Sequence, residues 1–169
     1  MSVTASELVA AARDYVRRAV KLELDGTVES LAYVDHYLST VGKVSDDVLA
    51  LIAPAIGAYF GELAVAHFGG HWITEGEPSE WRVVLDPAPV RFSPAAMAAE
   101  AIRGGEVEGY DSSLDIPSAL EAPLAEALAS SAPVDARYYH SLTGRFETIE
   151  HIVEMLVELG RIARESTAN

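Results

Sequence analysis

Three side chains able to ligate a metal fall within ten residues of one another: Glu62, His67 and His71. Histidine and carboxylate together suit zinc, iron or manganese, so this is the sharpest enzyme-like signal in the chain. Its spacing opposes it. On a helix of 3.6 residues per turn, Glu62 and His67 point about 140° apart, and the pair Gly69-Gly70 stops that helix before His71. The residues therefore predict no metal site, but a Glu62 engaged at the foot of a hairpin and histidines at a solvated helix end. Trp81 and Arg82 lie on the same hairpin and belong to residue types enriched at interface anchors. Together Glu62, His67, His71, Trp81 and Arg82 form the candidate ligand- or partner-binding set, with sheet-to-helix packing as the plainer reading of the tryptophans.

Other chemistry is weaker. His151 sits between Glu147 and Glu154 on one helix face, with Glu150 beside it, but the Glu-x-x-His spacing of di-metal bundles is missing, and a histidine in a solvated acidic face is the expectation. Asp35-His36 are sequence neighbours, which point in different directions around a helix. Tyr138-Tyr139-His140 reads as a core aromatic pair or as the rim of a cleft. No Gly-x-Ser-x-Gly elbow, Gly-x-x-x-x-Gly-Lys loop or Gly-x-Gly-x-x-Gly fingerprint occurs, and there is no cysteine. Disulfides, thiolate zinc sites and cysteine nucleophiles are thereby excluded. No catalytic residue and no cofactor is assigned.

The elements that must position these residues follow from periodicity. Leu8, Ala12, Tyr15, Ala19 and Leu22 recur at spacings of three and four and predict a helix over 6–22. Arg13, Arg17 and Lys21 form a basic stripe on its far side, read as a solvated face in preference to a dock for an acidic partner. A second helix is expected from Thr27 to Thr40. Ser45 is a good N-cap for a third, running to Phe68, with Asp46 and Asp47 favourable in its first turn. Pro54 inside that helix predicts a kink near Ala50. Ala53, Gly57 and Gly61 fall four apart, which lets another element approach the backbone closely. Beyond Gly69-Gly70 the pattern alternates: strands over 71–74, 81–85 and 90–92, with Asp86-Pro87-Ala88-Pro89 ending the second. Ser93-Pro94 opens a helix to Arg103. A long acidic loop spans 104–116, and helices are expected near 117–131, 135–142 and 144–165. The fold class read from this is α+β, mostly helical, with a small three-stranded antiparallel sheet at about 71–92 packed against a long central helix at about 45–68, all in one domain over 1–169.

Gly57-Ala58-Tyr59-Phe60-Gly61-Glu62, then Gly69-Gly70-His71-Trp72 and the strand Trp81-Arg82-Val83-Val84-Leu85, resemble a helix-to-hairpin pattern, roughly GAYxGE…GGxW, of a group of uncharacterised bacterial proteins, a domain of unknown function. The resemblance covers about a third of the chain. It implies a helix-and-hairpin domain and brings no activity with it.

Composition bounds the rest. With 169 residues, half of them hydrophobic, one core is expected and disorder is not. Twenty-six acids against twelve bases give a net charge of −14, which repels phosphate backbones and argues against nucleic acid as a partner. The acids are uneven: between Glu100 and Asp135 eight of them face the single Arg103. No secretory signal is read at the N-terminus, and the uncharged run from Val48 to Gly61 is too short for a bilayer span of about 20 residues. A cytoplasmic protein without a membrane partner is expected. The expectation for function is a non-enzymatic, acidic domain that binds another protein, with an immunity-like or regulatory role as one version. The alternative is a small-molecule- or metal-binding protein with its site around Glu62 and the 71–82 hairpin.

Overall fold

The computed structural model describes residues 2–86 and 88–168. Its organising element is the helix α3 (Asp46–Phe68), which starts on the Ser45 side chain and ends at Gly69 in a positive-φ conformation. It runs unbroken through Pro54. Apolar residues all round its axis call for cover on most sides, and among its large apolar residues only Val48 and Leu51, near its start, stay exposed. Helix α1 (Ala5–Val20) and helix α4 (Pro94–Arg103) are the two helices packed most closely on it. By length and composition α3 could cross a membrane, although the apolar run read from the sequence falls short; about two-thirds of its most apolar window is buried inside this fold.

Its glycines explain how the cover fits. A Cβ on Gly57 would lie 2.6 Å from the backbone nitrogen of Ala95, so α4 rests directly on the α3 backbone. A Cβ on Gly61 would overlap the Trp72 ring, which lies flush against the helix. Tyr59, between them, is buried; its hydroxyl accepts from the Gly26 amide at 3.0 Å and shares a 2.6 Å hydrogen bond with Ser30. That ties the turn before helix α2 (Leu31–Val41) to the core.

The sheet is antiparallel in the order β1 (Gly70–Ile73), β2 (Arg82–Leu85), β3 (Arg91–Phe92), with Trp72 opposite Val83 and Val83 opposite Phe92. The expected α+β architecture, a small three-stranded sheet on a long central helix, is what the structure shows. Pro87, expected to help end β2, lies outside the described residues.

Several boundaries differ from those expected by a few residues. Helix α1 stops at Val20 because Lys21 turns left-handed, with φ of 61°. The second helix starts late, since Val28–Ser30 form a 3-10 turn first. Helices α5 (Ser118–Ala129) and α6 (Ala136–His140) lead to α7 (Leu142–Thr167), which starts two residues before the expected Gly144. Ser141 caps that start by accepting from the Gly144 amide, and Asp35 of α2 completes it. Its carboxylate accepts from the amides of Leu142 and Thr143 at 2.8 and 3.0 Å, satisfying donors that a helix N-terminus leaves open. Asp35 is thus a cap for another helix.

Candidate functional site

The five residues picked out by sequence are dispersed over separate contacts. Glu62 is exposed and accepts a 2.8 Å hydrogen bond from the Trp72 indole, which is its engagement at the foot of the hairpin. It also lines a small cleft of about 300 Å³ with Arg13 and Tyr59. His67 lies 3.0 Å from Glu150 on α7, edge-on to Phe146. His71 is exposed on β1, 3.7 Å from Asp86. Trp81 is buried, donates to the Gly76 carbonyl at 3.2 Å and meets Trp72 edge to face. Arg82 is half-buried in β2 opposite Ile73. Among the described residues, no three His, Asp or Glu side chains group as a metal ion would need.

A different set converges elsewhere. Helix α4 is walled by alanines and buried almost throughout, yet it carries Glu100, which is 3% exposed. Arg145, 4% exposed on the inner face of α7, donates from Nη2 to Glu100 Oε2. Ser112, from the loop between α4 and α5, donates to the other carboxylate oxygen at 2.6 Å and accepts from Arg145 at 3.2 Å. Tyr139 of α6 accepts from Arg145 Nη1 at 3.0 Å and lays its ring 4.2 Å from the guanidinium carbon, in cation–π contact. His140 brings Nδ1 to 3.3 Å from Glu100 Oε2, without the alignment of a hydrogen bond. Four parts of the chain, α4, the loop, α6 and α7, thus meet on one buried ion pair.

Two nitrogens in this cluster, Arg145 Nε and His140 Nδ1, are buried with no hydrogen-bond partner among the described residues. Burying an ion pair already carries a desolvation cost of several kcal/mol per ion that well-paired geometry must offset, and an orphaned buried donor adds about 1–3 kcal/mol. Packing alone would be served as well by apolar side chains of similar volume.

The cluster is the floor of an open cleft of about 710 Å³, within the size range of ligand sites. Glu106, Glu108 and Asp111 stand exposed at its rim. The loop that carries them is anchored along its length. Tyr110 N–H donates to the Val107 carbonyl around Gly109, whose φ is 85°. Asp115 and Arg91 exchange two backbone hydrogen bonds of 2.8 Å, adding a bridge to the outer edge of β3. Asp111 accepts from the Ser113 amide at 3.0 Å, and hydrogen bonds from the Ser113 side chain and backbone, with the charge of Arg82 nearby, hold its carboxyl below the usual range. The rim therefore presents one carboxylate, Asp111, held in place, beside the exposed Glu106 and Glu108.

Reading the sequence missed Glu100 and Arg145 as a pair and Ser112 as their partner. One signal was there: a lone charge, Glu100, inside the stretch Ala95-Ala96-Met97-Ala98-Ala99-Glu100-Ala101-Ile102, where a helix of small apolar residues has to be buried all round. Of Tyr138-Tyr139-His140, read as a core aromatic pair or as the rim of a cleft, Tyr139 and His140 line the cleft and Tyr138 is exposed outside its lining. No family model matches the chain, and neither a curated protein nor a solved structure matches it.

Proposed function

We propose that this protein is a cytoplasmic binding domain, without enzymatic activity, that takes a basic segment of a partner protein into the cleft between the acidic loop and α6–α7. The observation that carries the reading is the ring of three exposed carboxylates, Glu106, Glu108 and Asp111, on a loop pinned by Ser112 to the buried Glu100–Arg145 pair. Complementary charge of this kind steers encounter and selects partners. A binder is favoured over a catalyst because both Glu100 oxygens already accept hydrogen bonds, from Ser112 and Arg145, leaving the carboxylate poorly placed to move a substrate proton. The expected site around Glu62 has less to offer a ligand, since that carboxylate is engaged by Trp72.

Decalysine at low ionic strength is a suitable probe. Exposed ion pairs contribute about 0.2–1 kcal/mol each, so neutralising all three rim acids (Glu106→Gln, Glu108→Gln, Asp111→Asn) should weaken binding about tenfold. A control of equal net charge, Glu23→Gln, Glu121→Gln, Glu126→Gln, should change it less than threefold. Equal losses in the two variants would mean that decalysine reads net charge alone, and the proposal would fail.

A further inference from the structure

Resting on that reading, we infer that the cleft recognises a lysine- or arginine-bearing stretch of peptide backbone, with a peptide carbonyl taken at the floor and the cationic side chain at the rim. The two ends of the cleft differ in chemistry. The rim offers acceptors only, from Glu106, Glu108 and Asp111, and calls for a cation. The floor offers an unmet donor, Arg145 Nε, in a side chain whose Nη1 and Nη2 both have partners. Such a donor calls for an acceptor. Glu100 beside it makes a second carboxylate unwelcome there, so a neutral carbonyl oxygen fits better than an anionic head group. A basic peptide carries both groups, a carbonyl at every residue and a cation on a long flexible stem. A polyamine carries only the cation.

Access to Arg145 Nε requires the Tyr139 ring to turn aside. That ring is half-buried on the short helix α6, and what holds it over the guanidinium is Arg145 itself, through the Nη1 hydrogen bond and the cation–π contact. The peptide carbonyl then relieves an unsatisfied donor, which is worth more to binding than a new contact between groups already paired with water.

The test compares two probes of equal charge by calorimetry: acetyl-Gly-Lys-Gly-Lys-Gly-amide and the diamine cadaverine. Wild-type protein should bind the peptide at least tenfold more tightly than the diamine. Arg145→Lys, which keeps the charge and removes Nε, should bring that ratio towards one, whereas the rim variant should weaken both probes alike. Since Arg145→Lys can disturb the buried pair, the Nε–H resonance of Arg145 in the wild-type protein gives a second readout. It should shift on adding the peptide and stay put with the diamine. Equal affinity of the two probes, or an Nε–H signal indifferent to the peptide, would overturn the inference while leaving the acidic rim as the binding site. Loss of rim dependence for both probes would instead overturn the proposed function itself.

Discussion

Tyr59, Glu62 and Trp72 all end their polar groups on protein partners at ordinary hydrogen-bond distances, whereas Arg145 and His140 each keep a buried nitrogen with none. The two regions also differ in how they are assembled. Between Gly57 and Trp72, α3 fits against α4 at Gly57 and against the strand that follows it at Gly61, because glycine removes the side chains that would clash. Around Glu100, two stretches far apart in the chain, 100–112 and 139–145, converge on charge inside an apolar helix layer. A satisfied region of close backbone packing is architecture. A buried ion pair with an unmet donor under an open acidic rim is where this fold departs from what stability needs.

The largest expected effect tests whether the buried pair is there for stability. Arg145→Met leaves Glu100 as an uncompensated buried charge and should lower unfolding stability by about 3–5 kcal/mol. Replacing both partners, Glu100→Leu with Arg145→Met, should recover most of that loss, because buried pairs are often matched by apolar residues of similar volume. Urea denaturation of the three proteins decides it. A double variant as unstable as the single one would make the pair structural and erase the contrast with the glycine region.

Gly57→Val sharpens the other side. Its new side chain meets the backbone of Ala95 and Pro94, which cannot swing away as the end of a flexible side chain could, so a loss of roughly 1–3 kcal/mol is expected. Thermal unfolding measures it, and peptide affinity should be unchanged in the folded fraction. A stable Gly57→Val protein would show that α4 does not depend on this close approach.

The smallest effect concerns the rim. Because its folded-state pKa is depressed, Asp111 supports its turn fully above the ordinary aspartate value, and that support is lost as pH falls through the depressed one. The Ser113 amide resonance should therefore titrate with a midpoint below 3.8, the value for a free aspartate side chain. A midpoint at or above 3.8 would mean that Ser113 does not hold this rim carboxylate in place.

The same contrast explains what the sequence made legible. Local signals read well: the Ser45 cap, the Gly69 stop, the Ser93-Pro94 start of α4 and the alternation of the hairpin depend on neighbours a few residues away. The engagement of Glu62 at the hairpin foot was readable for the same reason, as Trp72 follows ten residues later. Long-range satisfaction was not. Asp35 reinforces the Ser141-capped start of α7 across a separation of 107 residues, and Arg145 finds Glu100 across 45. Neither spacing has a period or a motif, so Glu100 counted only as one acid among eight and Arg145 only as one base. The acidity of 104–116 was visible in composition; that the loop is pinned over a buried ion pair was not.

The claim that binding resides at the acidic cleft and the glycine-rich stretch is architecture is tested most directly by one head-to-head calorimetric measurement. The basic peptide is titrated into two variants of equal net charge, one lacking the rim acids (Glu106→Gln, Glu108→Gln, Asp111→Asn) and one lacking acids around the hairpin (Glu62→Gln, Glu75→Gln, Asp86→Asn). Affinity should fall about tenfold in the first and stay within about threefold of wild type in the second. The reverse order would place the binding site at Glu62 and the hairpin and contradict the account.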